Sequence, residues 1–155
     1  MLYTIENTVA MIKDRYHDTE EAVNRLVRDF YKHNNIIIAI DFDSVLFDFK
    51  GRGYSSSVRN LMYKLATLSI KREPPPQDKR FTTILFTARE GNELREAEEF
   101  CKYHRIRIDY VNESPEIIPF KTRKPFYNIL LDDKAGLGQA YEVLTKFLKI
   151  IDYNQ

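Results

Sequence analysis

The stretch IIIAIDFDSVLFDF, residues 36–49, runs five apolar residues directly into Asp41, and a second acid follows at Asp43. An apolar run of this kind, rich in β-branched residues, predicts a strand over 36–41 that is buried on both faces. Side chains two apart on an extended segment point the same way, so Asp41 and Asp43 can face one site. A buried strand ending in two carboxylates is a place to look for chemistry.

The chain alternates on either side of this strand. Upstream, DTEEAVNRLVRDFYKHN carries Val23, Leu26, Val27, Phe30 and Tyr31 at helical spacing, with Asp18 or Thr19 as cap and acids in the first turn. Residues 1–35 therefore read as an N-terminal helical extension. Downstream, SSVRNLMYKLATLSI (56–70) places Val58, Leu61, Met62, Leu65 and Leu68 on one helical face. KREPPPQDKR is a loop, because three successive prolines cannot continue a helix. Strands are expected at 81–87, 106–111 and 127–132, helices at 92–104 and 136–151, and a loop at 112–126. Strands that alternate with helices, three of them as unbroken apolar cores, predict one α/β domain. Its expected form is a three-layer Rossmann-like parallel sheet with helices on both faces, preceded by the N-terminal helices.

Composition agrees with one soluble domain: 155 residues, 43% hydrophobic and 30% charged. The net charge of +1 gives no global bias toward nucleic acid or an anionic membrane. The single cysteine, Cys101, cannot form an internal disulfide, and no apolar leader or membrane-length run is seen, so a cytoplasmic location is expected.

In open parallel sheets ligands bind beyond the carboxyl ends of the strands. The first strand ends in Asp41 and Asp43, the second in Thr87 and then Arg89, and the fourth in Asp132 and Asp133. Each piece alone is ordinary, since an acid after a strand is often a turn or helix-cap residue. Together they suggest a carboxylate cluster that must protonate or bind a cation. Oxygen ligands without His or Cys select a hard ion, and Mg²⁺ fits best if a phosphate completes its shell. Lys124 precedes Pro125, which favours an extended backbone and suits a loop side chain reaching into a site. Lys121 and Arg123 compete for that role.

These motifs resemble the haloacid dehalogenase-like phosphohydrolases. The family pattern of an apolar strand ending in DxD, a strand ending in Thr or Ser, a Lys and an acidic pair matches IIIAIDFDSV, ILFT, Lys124 and ILLDD in order, across residues 36 to about 150. FTAREG, DYVNESP and ILLDD resemble a small, nearly capless bacterial and phage subgroup, and TARE more loosely resembles the phosphatase domain of phage polynucleotide kinase. The usual Gly-Thr after the second Asp is here Ser44-Val45. The resemblance implies Asp41 as nucleophile and Asp43 as acid and base. It implies Mg²⁺ held by Asp41, the Asp43 main-chain carbonyl and Asp132, with Asp133 direct or through water. Thr87 and Lys124 would bind the phosphoryl group, and Arg89 a phosphate or the leaving group.

No long insertion provides a cap, so the site is expected to be open, with FDFKGRGYSSS as a small flap turning at Gly51 and Gly53. The implied substrate is a small phosphomonoester, such as a nucleotide or sugar phosphate. Tyr54, Asn112 and Arg89 are candidates to read a sugar or base. The basic residues of KREPPPQDKR and KTRK keep a nucleic-acid end open as a partner. A module that binds phosphate without turnover is the alternative from another class. The stripe on residues 19–33 is expected to dock on the helices flanking the sheet or on a second copy of the chain.

Overall fold

The computed structural model describes residues 18–48, 56–70 and 80–153. The expected flap at Gly51, Gly53 and Tyr54, most of the proline loop and the first part of the N-terminal extension lie outside them. Helix α1 (Thr19–His33) starts where Asp18 accepts the Glu20 N–H at 2.9 Å. It ends at Asn34, whose left-handed backbone (φ 51°) lets its N–H reach the Phe30 carbonyl. The remaining elements are β1 (Ile36–Ile40), α2 (Ser56–Ile70), β2 (Phe81–Leu85), α3 (Gly91–Tyr103), β3 (Tyr110–Val111), β4 (Ile129–Leu131) and α4 (Leu137–Tyr153).

The four strands form a parallel sheet in the order β3-β2-β1-β4, flanked by helices. Every residue of β1 and β2 is buried; β1 is wholly apolar, and the buried Thr82 and Thr83 hydroxyls of β2 donate to the Asn35 side chain and the Arg107 carbonyl. All four strands are shorter than expected; β1 and β2 end early, at Ile40 and Leu85, while the other two start late for a shared reason. At 106–109, the Asp109 carboxylate accepts the Thr83 N–H at 3.0 Å, and the Thr83 hydroxyl donates to the Arg107 carbonyl at 2.7 Å. Before β4, the Asn128 side chain accepts the Ile37 N–H at 2.8 Å. Polar side chains thus take bonds that a main-chain ladder would otherwise make, and β3 and β4 start late.

The larger core cluster joins Ile36, Ile38 and Ile40 to side chains from all four described helices. The smaller cluster, Ile37, Ala39 and Ile84, is packed by Ile118 and Tyr127 from the 112–128 connection, with Phe86, Tyr110 and Leu130. Among the described residues no helix belongs to this second cluster. The α1 stripe docks on α4: Val23, Leu26 and Phe30 are buried, and the Phe30 ring lies 5.8 Å from that of Phe147. Tyr31 departs from the expected stripe. It is 62% exposed, with its ring 5.7 Å from that of Phe30 and edge to face, because each helical step turns about 100° and carries it off the buried face. Among the described residues, no helix is long and apolar enough to cross a membrane.

Candidate active site

The register of β1 on β4 pairs Ile40 with Leu131, so the next residues, Asp41 and Asp132, leave the sheet side by side. The Asp41 N–H donates to the Leu131 carbonyl at 2.9 Å, which holds the two chain ends together. Asp132 is fixed by a turn: its carboxylate accepts the Lys134 N–H at 2.8 Å and its carbonyl the Ala135 N–H at 3.0 Å. One carboxylate oxygen from each of Asp41, Asp132 and Asp133 lies within 4.8 Å of the others.

Burial pushes the Asp41 carboxyl up from 3.8 to about 6, with the charges of Asp132, Asp133 and Asp43 adding to the rise and the Phe42 N–H bond opposing it. Two unit charges at this spacing repel by about 3.5 kcal/mol at an effective dielectric near 20, before exposure to solvent screens them. A cation relieves that repulsion. The three donors are all carboxylate oxygens, with no His or Cys among them, so the set fits a hard ion such as Mg²⁺.

The Asp43 carboxylate, expected beside Asp41, is not one of the three. The chain turns between them. The Phe42 carbonyl accepts from the N–H groups of Leu46 and Phe47 at 3.0 and 2.9 Å, and Ser44 adopts φ 64°, a left-handed backbone that favours glycine. Buried Phe42, Val45 and Leu46 hold the turn from beneath, while Phe47 stacks on Phe42 at 5.6 Å and Phe100 abuts both rings edge-on. The turn sends Asp43 toward Arg89, whose Nε and Nη2 donate to its two carboxylate oxygens at 2.9 and 2.7 Å. That bond to Asp43 raises the Arg89 pKa further.

Thr87 follows β2 and is 8% exposed. Its hydroxyl oxygen accepts the Arg89 N–H at 3.2 Å, which leaves the hydroxyl proton free to donate. Asn112 fixes Thr87: its side-chain amide bonds both the N–H and the carbonyl of Thr87 at 2.8 Å. Asn112 is therefore part of the site's frame. The only signal of this in the sequence is an amide residue directly after a strand. Lys124, Lys121 and Arg123 are exposed on the 112–128 connection. Its first end is tied to Thr87 through Asn112; its second runs beside Ile37 at the opposite end of the sheet, where the Asn128 N–H donates to the Ile37 carbonyl at 2.8 Å. The structure forms no ion pair between Lys124 and the described carboxylates; its carbonyl accepts the Thr122 hydroxyl at 2.7 Å.

Cys101 takes no part in this edge. It is buried, and desolvation pushes its thiol up to about 12, where it is inert as a nucleophile. An open groove of about 630 Å³ beside β3, lined by Cys101, Arg107, Asp109 and Tyr110 among others, shares no residue with the carboxylate edge.

No family model matches the chain, and no curated protein matches it. Among solved structures, a conserved protein coded by a locus from Bacteroides thetaiotaomicron is similar at 26% identity and a TM-score of 0.51. The match covers 73% of this chain and 92% of that one. It supports the α/β fold, a parallel sheet flanked by helices.

Proposed function

We propose that the chain is a Mg²⁺-dependent phosphohydrolase of the haloacid dehalogenase-like type, hydrolysing a small phosphomonoester through an aspartyl-phosphate on Asp41. The observation that carries the reading is the convergence of Asp41, Asp132 and Asp133 at the carboxyl ends of adjacent strands, with Asp43 and Thr87 on the same edge. Asp41, Asp132 and Asp133 would hold the cation by their carboxylates, and Asp43 by its main-chain carbonyl. Bound there, Mg²⁺ offsets charge so that an anionic carboxylate can approach an anionic phosphate.

The residues divide the work. The free Asp41 oxygen attacks phosphorus as the bond to the leaving oxygen breaks, and Asp43 gives that oxygen its proton. Asp43, now a carboxylate, takes a proton from the water that attacks the aspartyl-phosphate. Phosphate leaves and Asp41 is regenerated. The Thr87 hydroxyl donates to a phosphoryl oxygen, and Lys124 is the cation assigned to balance the phosphoryl charge.

Release of nitrophenol from nitrophenyl phosphate, with Mg²⁺ and with chelator, tests the reading. Turnover that needs both Mg²⁺ and Asp41 upholds it. Full activity in chelator, or none on a panel of phosphomonoesters while Mg²⁺ is bound, overturns it, and the second outcome leaves a phosphate-binding module. A phosphorylated strand end is a second reading of the substrate, favoured by the exposed Phe120 and Phe126, which touch at 6.2 Å and bracket Lys121, Arg123 and Lys124. Phosphorylated oligonucleotides hydrolysed in preference to mononucleotides would select it.

A further inference from the structure

Asp43 stands two residues from Asp41, yet its carboxylate stays outside the converging three. Arg89 occupies both of its oxygens, at 2.9 and 2.7 Å. The guanidinium is itself held. Its carbon lies 4.7 Å from the centre of the Phe42 ring and 5.9 Å from that of Phe47, in an aromatic wall completed by Phe100. The Arg89 N–H is bonded to the Thr87 hydroxyl oxygen, so the base of the side chain is anchored too. The Arg89 side chain is only 18% exposed and that of Asp43 only 32%, so solvent competes weakly for the pair. A planar fork of this kind fixes both the direction and the rotation of a carboxylate, which the point charge of a lysine cannot do.

We infer that Arg89 is a positioning residue that holds Asp43 away from the Asp41–Asp132–Asp133 cluster. The cluster then offers three carboxylates to a cation, and Asp43 is kept as a carboxylate able to take the proton of the attacking water. The catalytic half rests on the phosphohydrolase reading; the structural half rests on the ion pair alone. Without the fork, a cation in the cluster attracts the Asp43 carboxylate as a fourth ligand. Four carboxylates suit Ca²⁺, which takes more oxygens at longer range than Mg²⁺. An Asp43 spent as a metal ligand no longer carries protons. The competing role for Arg89 is direct contact with the substrate phosphate, in which case the state of Asp43 is irrelevant to its loss.

Two measurements separate these roles. Calorimetric titration with Ca²⁺ and Mg²⁺ is run on the wild-type protein, Arg89→Ala, Asp43→Asn and the double variant, each checked for a native circular dichroism spectrum. Loss of Arg89 should tighten Ca²⁺ about fivefold or more relative to Mg²⁺, and adding Asp43→Asn should abolish that gain. Unchanged Ca²⁺ preference in Arg89→Ala overturns the inference, even if the protein proves to have no phosphatase activity. In turnover of nitrophenyl phosphate, Arg89→Ala should lower kcat by about 30-fold with KM within about threefold. Added guanidinium should restore part of kcat, and Arg89→Lys should not. In the Asp43→Asn background the loss of Arg89 should cost little more. A rise in KM and in the inhibition constant of inorganic phosphate, with kcat unchanged, makes Arg89 a phosphate ligand and refutes the positioning role.

Discussion

Metal-free protein should become less stable as pH rises from about 4 to about 6, and Asp41 is the reason. Its carboxyl titrates near 6 in the fold against 3.8 as a free side chain, so between those values the folded state keeps a proton that the unfolded chain has lost. Stability is therefore greatest below the lower value, falls through the window, and is level above it. A shift of this size corresponds to about 3 kcal/mol if fully expressed, but the cluster is open to solvent and screening reduces the expectation to about 1 kcal/mol. For a chain of this length that is roughly 2–4 °C in Tm. The clean comparison is with Asp41→Asn, whose side-chain oxygen can still accept the Phe42 N–H but carries no charge. In chelator, the variant should melt about 2–4 °C above wild type near pH 7 and level with it near pH 4. Mg²⁺ should reverse the order: at about 100 times its Kd it stabilises wild type by about 2.7 kcal/mol, roughly 5–10 °C, and Asp41→Asn far less. Thermal melts at the two pH values, with chelator and with Mg²⁺, decide the matter. A wild-type protein that is no less stable than Asp41→Asn near pH 7 in chelator, or that gains nothing from Mg²⁺, refutes the account of the cluster.

Ser44 holds φ 64°, a conformation that costs most side chains about 1 kcal/mol and glycine almost nothing, so Ser44→Gly should raise Tm slightly and Ser44→Val should lower it by several degrees. A Ser44→Gly protein less stable than wild type would contradict the strain. Leu26, 1% exposed in the α1–α4 interface, should cost about 2–5 kcal/mol when cut to alanine, read as a shifted urea midpoint, while the cation affinity measured by calorimetry stays the same. Asn112→Ala strips the partners from both main-chain groups of Thr87, so it should destabilise by about 1–3 kcal/mol and lower turnover more than Leu26→Ala does at equal loss of stability. Equal activity losses in those two variants would remove Asn112 from the frame of the site.

The apolar run of 36–40 determines the central strand, because an unbroken β-branched run of that length suits a strand buried on both faces, and that signal is local. The cap at Asp18 and the α1 stripe are equally local, needing only the helical period to be recognised. The acids after β1 and β4 and the Thr after β2 were also legible, since chain direction in a parallel sheet puts those ends on one edge. Tertiary structure decided what these groups do to one another. Asp41 and Asp132 are 91 positions apart, and only the Ile40–Leu131 register sets them side by side. Asp43 sits nearest to Asp41 in the chain, yet the turn over buried Phe42, Val45 and Leu46 carries its carboxylate to Arg89 instead. The late starts of β3 and β4, where Asp109 and Asn128 side chains replace ladder bonds, depend on partners that no neighbouring residue supplies. Periodicity is a property of consecutive residues and is written in the sequence. Which carboxylate meets which cation depends on strand register and turn packing, and these exist only once the distant segments have come together.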